Sequence, residues 1–272
     1  GDFLARIMSF VPAIFILIPV VAPALGKTIL DTFGWKAIFH FQVVFGVAVA
    51  IWFWLRQPET LPLRNRKTFR PIILLTGFRE VFQYRRTVIF TLIWGLITGS
   101  FLVYLSTTQV IFEIQYGVED LFPYLFAALA VTIGGATLVN GSLVIKYGMH
   151  RLIGASLVAF TLIAAFYILL FYGQDNPSIP VLMLFLCLQF FAIGFLFGNL
   201  RAMAMEPLGH IAGLGAAITG FLATIISVGL SAWIGSYLAD TVIPLFTGFL
   251  VCGLLALLLF AFSQFRSGTR MA

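Results

Sequence analysis

Residues 179–220 read IPVLMLFLCLQFFAIGFLFGNLRAMAMEPLGHIAGLGAAITG. From Ile179 to Leu200 no side chain is charged, and the only amides are Gln189 and Asn199. At about 1.5 Å rise per residue, a helix of about 20 apolar residues crosses a hydrocarbon core of about 30 Å. The run then meets Arg201, Glu206, Pro207, Gly209 and His210, and a second apolar run begins at Ile211. A membrane strand would alternate over about ten residues, whereas these runs are long and continuous, so they are read as helices. The fold is therefore decided here: two membrane-spanning helices joined by a short polar turn.

The same pattern extends along the whole chain. Of its 272 residues 61% are hydrophobic and 10% charged, and the mean hydropathy is +1.07. Soluble domains carry about 25% charged residues, so a soluble fold could not cover this surface. Eight spans are expected, at about 8–26, 35–55, 87–110, 121–145, 152–173, 179–203, 211–237 and 242–265. The formal net charge of +6 points to membrane topology and not to nucleic acid, because the basic residues sit in the gaps between spans. Cys187 and Cys252 lie inside apolar runs and read as small buried hydrophobes.

The gaps alternate in charge. Arg6, the stretch from Arg56 to Arg86, Lys146, Arg151, Arg201, Arg266 and Arg270 fall on one side, which holds 14 of the 16 basic residues. Lys27 and Lys36 fall on the other, with Asp31, Glu113, Glu119, Asp120, Asp175 and Asp240. The positive-inside rule puts both ends in the cytoplasm, as an even number of spans requires. The one long gap, 57–86, opens with Pro58 to Pro62 and a basic cluster. It continues as Ile72–Phe82, with Leu74, Leu75, Phe78, Val81 and Phe82 on one helical face. Basic flanks make this an interfacial helix on anionic headgroups. The gap divides the chain into 1–56 with two spans, 57–86 as a cytoplasmic linker, and 87–272 with six spans.

Four stretches carry local signals. Pro19, Pro23 and Gly26 bend the first span and admit a close neighbour. Gly34-Trp35-Lys36 opens the second span and Pro58-Glu59-Thr60-Leu61 closes it. Asn140 to Arg151 includes Lys146, Gly148 and Arg151, a glycine turn flanked by cations that suits helix carbonyls and acidic partners. In Asn199 to Gly213, Glu206 is expected to accept from the next helix's first amides or to pair with Arg201, beside Pro207 and His210. Gly26-x4-Asp31-Thr32 and Gly235-x4-Asp240-Thr241 repeat one pattern six spans apart.

These stretches resemble the Bcr/CflA-type drug-resistance transporters of the major facilitator superfamily, and the chain is similar to their helices five to twelve throughout. The resemblance implies an all-α polytopic transmembrane bundle, a major facilitator fold lacking its first four helices. It implies a truncated front end, with six spans after the linker forming the second half. It also implies proton-coupled efflux of small amphiphilic compounds by alternating access in a bacterial inner membrane. Partners would be the bilayer, a drug-like molecule and protons, with no nucleic acid, and a monomer at full length. The proton gradient is the driving force and no cofactor is expected. Two departures stand out. The loop at Lys146 lacks the family's Asp, and Ser106 to Val110 lacks the proline of the family's Ser-Pro-Phe stretch.

Substrate-pathway candidates are the polar or aromatic residues inside spans: Gln189, Phe101, Tyr104, Gln109, Asn140 and Asn199. Gln42, on a presumed peripheral helix, is not among them. No acid lies near mid-membrane, and Glu113 comes nearest. The resemblance implies that the proton-coupling acid lies on the first half, on helices that precede this chain, since proton-coupled exporters need a titratable group within the cavity. No phosphate-binding glycine loop, HExxH or nucleophile elbow occurs, and His40, His150 and His210 are not spaced for a metal, so neither an enzyme nor a metal site is expected. The alternative function is a non-transporting bundle or a partner-dependent subunit.

Overall fold

A computed structural model describes residues 21–22, 25–59, 71–238 and 240–265, and these are almost wholly helical. A helix over 25–33 precedes α1 (Trp35–Arg56) and α2 (Pro71–Gln83). Six longer helices follow: α3 (Arg85–Gln109), α4 (Phe122–Tyr147), α5 (Met149–Phe171), α6 (Ile179–Met205), α7 (Ala212–Gly235) and α8 (Ile243–Phe265). Seven of the expected spans match α1 and α3 to α8 within a few residues. Six helical runs among the described residues are long and apolar enough to cross a membrane. One of them, Ile179–Gly235, is 57 residues long and contains both α6 and α7. The chain is a multi-pass membrane protein.

Most of the first expected span, with Pro19 and Pro23, lies outside the described residues. Gly26 sits inside the helix over 25–33. The chain breaks instead at Gly34, whose φ of 78° only glycine tolerates easily. Gly235 does end α7, so the repeated Gly-x4-Asp-Thr pattern has two different local structures. The end of α3 also differs from a plain helix: Val110–Gln115 continues it as a π-helical turn, which carries the span past its expected end.

Local chemistry sets the other breaks. Gly148 closes α4 and opens α5 at φ 78° and ψ 151°, with its amide donating to the Val144 carbonyl at 2.9 Å. Between α6 and α7 a tight 3-10 turn, Glu206–Ile211, holds Pro207 near its start and leaves helical geometry at Leu208. Proline there has no amide to continue the α-helical ladder.

α3 is the central post, in contact with α6, α7 and α8, while α5 packs on α6 and α8 and α4 packs on α6. The α3–α7 seam is close enough for Ser227 Oγ to donate to the Gly95 carbonyl at 3.1 Å. Tyr167 stacks on Phe246 at 3.6 Å between α5 and α8, and Phe160 meets Phe249 at 5.7 Å. α1 has no buried residue.

The two ends of the bundle differ in charge. At one end Asn176 donates to Gln115 Oε1 (3.2 Å) and the Asp240 carbonyl (3.3 Å), and accepts from the Val242 amide (2.9 Å). Tyr116 donates to the Pro177 carbonyl at 2.7 Å, and burial pushes its phenol up to about 12, so it remains a donor. The three connections at this end, which carry Glu119, Asp120, Asp175 and Asp240, are thus stitched together, with Glu113 in the adjoining π-helical turn. The opposite end carries Arg85, Arg86, Lys146, Arg151 and Arg201.

Gly194 fixes the α4–α6 approach. A methyl group there would lie 2.6 Å from Ala136 Cβ and 2.7 Å from the Ile133 carbonyl oxygen. Gly194→Ala is expected to destabilise the purified protein by ~1–3 kcal/mol, the scale of overpacking. Gly198→Ala meets open space and should not destabilise it. Unfolding of both variants in detergent micelles checks the difference.

Candidate functional site

Two constellations bring together polar and aromatic residues from different helices. The first is interior, where α3 faces α4 and α6. Tyr104 is 1% exposed and packs edge-on to Phe190 at 4.7 Å, with Phe126 at 6.4 Å. Phe101, half-buried one turn earlier, meets Phe190 and Phe197, each at 5.5 Å. Beside this aromatic wall lie the Tyr104 hydroxyl, Thr108 and Cys187, and Thr132 on α4 donates to Cys187 Sγ at 3.6 Å. The Tyr104 and Thr108 hydroxyls lie beside each other, but neither makes a hydrogen bond of good geometry among the described residues.

The candidate amides take separate places. Asn140 and Asn199 pair reciprocally, at 2.7 Å and 3.3 Å, and Asn199 also donates to the Phe195 carbonyl at 2.9 Å. They tie α4 to α6, just beyond the close approach at Gly194. Gln189 is fully buried on the side of α6 that meets α5, donates to the Phe160 carbonyl at 3.1 Å, and leaves Oε1 without a partner. Gln109 is exposed and donates to Glu113 Oε2 at 2.7 Å across the start of the π-helical turn.

The second constellation lies at the basic end. Glu206 pairs with Arg86 of α3 at 3.0 Å, and not with Arg201. Arg201 instead sits 5.9 Å from the Trp94 ring. His210 contacts Glu80 of α2 and its ring lies 6.3 Å from Tyr84. Pro207 sits between them in the turn, above a small core of Val81, Leu208 and Ile218. Lys146 and Arg151 flank Gly148 and are exposed, and Lys146 lies over the Tyr147 ring at 5.1 Å.

Sequence reading missed Arg86, Glu80, Phe190 and Thr108. The threonines had a visible signal: Thr87, Thr91 and Thr98 fall at helical spacing on one side of α3.

Comparison with known proteins gives this arrangement a family. The profile described as Major Facilitator Superfamily matches residues 2–228. The chain belongs to the major facilitator superfamily. That is a family of membrane transporters and not of enzymes. The chain is similar to an uncharacterized MFS-type transporter, YdgK, of Bacillus subtilis, at 27% identity over 86% of this chain and 59% of YdgK. It is similar to a bicyclomycin resistance protein homolog of Haemophilus influenzae, at 24% identity over 98% of this chain and 67% of that protein. It is also similar to the multidrug resistance protein MdtL of Escherichia coli O6:H1, at 25% identity over 95% of this chain and 64% of MdtL. The chain thus spans about three-fifths of the length of these curated relatives.

The amide pair of this superfamily member makes a directional test. Asn199 keeps its bond to Phe195 when Asn140 is removed, whereas Asn140 loses both its bonds when Asn199 is removed. Asn199→Ala should therefore cost more stability than Asn140→Ala. A double-mutant cycle on unfolding should give a coupling of ~0.6–1.7 kcal/mol, the range of hydrogen bonds between membrane helices.

Proposed function

We propose that this chain forms part of an exporter that moves small amphiphilic compounds across a bacterial inner membrane by alternating access, driven by inward proton flow. The observation that carries this reading is the state of α3. Seven buried side-chain nitrogen or oxygen atoms among the described residues lack a hydrogen-bond partner, and five of them are on α3: those of Thr87, Thr91, Thr98, Tyr104 and Thr108. An unsatisfied buried hydroxyl costs roughly 1–3 kcal/mol, so this helix is poorly adapted to be a mere packing element. From Thr87 to Thr108 the rise is about 31 Å, the thickness of the hydrocarbon core. Trp94 and Phe101 interleave with the hydroxyls. A face of hydroxyls and aromatic rings suits solutes that pair an aromatic body with a hydrogen-bonding group. The resistance named for two of the relatives supports drug-like substrates.

In this reading residues 87–272 are one six-helix half, 57–86 is the linker, and 1–56 belongs to the other half. The basic end of the bundle faces the cytoplasm, by the positive-inside rule, and both chain ends lie there. Phe101 and Tyr104 line the pathway, with Gln109 and Gln189 near its margins. Asn140 and Asn199 hold its wall. Lys146, Gly148, Arg151, Glu206, Pro207 and His210 act in the conformational change, with Pro19, Pro23 and Gly26 on the first span. The acid that carries the proton is expected in the part of the relatives' length that this chain does not match.

Two outcomes test the proposal. Tyr104→Phe and Thr108→Val keep shape and remove unsatisfied hydroxyls, so stability should hold or rise. In a pump-deficient strain expressing the whole gene product, resistance should fall for compounds with a hydrogen-bonding group and persist for those without one. Unchanged resistance to every compound would count against the pathway. Separately, the chain reconstituted alone should give no drug-dependent proton flux, and robust flux would contradict a proton site elsewhere.

A further inference from the structure

α2 reads PIILLTGFREVFQ and spans 13 residues, about 20 Å at helical rise and too short to cross a bilayer. One face of it is docked on protein. Gly77 is buried, and a methyl group there would collide with the Leu214 side chain. Phe78 meets Phe221 edge-on at 6.3 Å. Val81 is fully buried with Leu208 and Ile218. Polar contacts pin the same junction: Glu80 with His210, and Arg86 with Glu206 at 3.0 Å. The partners Leu208, Glu206 and His210 all belong to the turn between α6 and α7.

The remaining face carries a second set of large apolar side chains. Ile72, Leu75 and Phe82 are 57%, 66% and 55% exposed. They recur at helical spacing, with exposed Arg79 among them. Just before α2 the sequence holds Arg64, Arg66, Lys67 and Arg70. An exposed apolar helix face that follows a cationic cluster in sequence is the two-part signal for the headgroup region of an anionic leaflet. The cluster's charge is the complement of an acidic phospholipid, and a neutral lipid would leave it unmatched.

We propose that α2 is a two-faced strut that fastens the α6–α7 turn to anionic phospholipid. Gly77, Phe78 and Val81 grip the turn, and Ile72, Leu75 and Phe82 enter the headgroup layer. The lipid composition of that leaflet then sets how firmly the turn is held. The pathway assignment is not needed for this inference, which requires only that the bundle sits in a bilayer.

Nitroxide labels at Leu75→Cys, Phe82→Cys and Thr76→Cys test it, in protein with Cys187 and Cys252 replaced by alanine. The protein is placed in phosphatidylcholine vesicles with or without phosphatidylglycerol. Saturation is measured against oxygen, which concentrates in lipid, and a water-soluble nickel chelate. With phosphatidylglycerol, the labels at 75 and 82 should favour oxygen and the label at 76 nickel. Without it, the oxygen-to-nickel preference at 75 and 82 should fall about tenfold or more, given the several basic residues involved. Labels at 75 and 82 open to nickel in both membranes would overturn the proposal, because the face would be solvated. Labels shielded from both reagents would overturn it too, because protein would cover the face. A label at Gly209→Cys should become more mobile when phosphatidylglycerol is left out. An unchanged spectrum there would show that the turn is not held through lipid.

Discussion

Apolar helices in a bilayer gain little by burying apolar surface against one another, because lipid tails are equally apolar. This bundle therefore depends on the few places where backbones approach closely or polar groups meet. Gly194 brings α6 against Ala136 and the Ile133 carbonyl of α4, and the Asn140–Asn199 pair lies just over a turn beyond it. Ser227 reaches the Gly95 carbonyl across the α3–α7 seam. Gln189 fastens α6 to the α5 backbone at Phe160. Aromatic contacts fill the space between them, as where Tyr104 of α3 meets Phe190 of α6.

α3 stands at the centre of that arrangement and is also its least satisfied member. Its hydroxyls at Thr87, Thr91, Thr98, Tyr104 and Thr108 find no partner among the described residues, whereas Ser100 and Thr107 bond back to their own helix. Stability alone would favour valine or phenylalanine at the unsatisfied positions. The helix that the bundle packs around is thus the one where stability has been given up, as is common where a protein acts on other molecules.

The spans were legible because hydrocarbon demands about 20 apolar residues in a row, and that demand leaves little freedom. The turn at Glu206 and Pro207 was legible for a related reason: charge and proline both end a membrane helix. Partnerships were not. Glu206 lies five residues from Arg201 but pairs with Arg86, because the α3–α7 contact brings the start of α3 to the turn. Gln189 and Phe190 are adjacent in sequence, yet one residue turns a helix by about 100°. Phe190 therefore faces α3 while Gln189 faces α5. The π-helical turn at Val110–Gln115 and the break at Gly34 in place of Gly26 depend on backbone geometry that hydropathy does not encode.

The central claim is that the hydroxyl-bearing face of α3 belongs to a solute pathway and not to a sealed core. Cysteines placed singly at Thr91, Thr98 and Thr108, in membranes holding the whole gene product, test it most directly. They are treated with a charged thiol reagent that cannot enter hydrocarbon. The account predicts modification at all three positions, slowed by an amphiphilic drug to which the protein gives resistance. Cysteines that react only with a membrane-permeant reagent, with no protection by any drug, would contradict it.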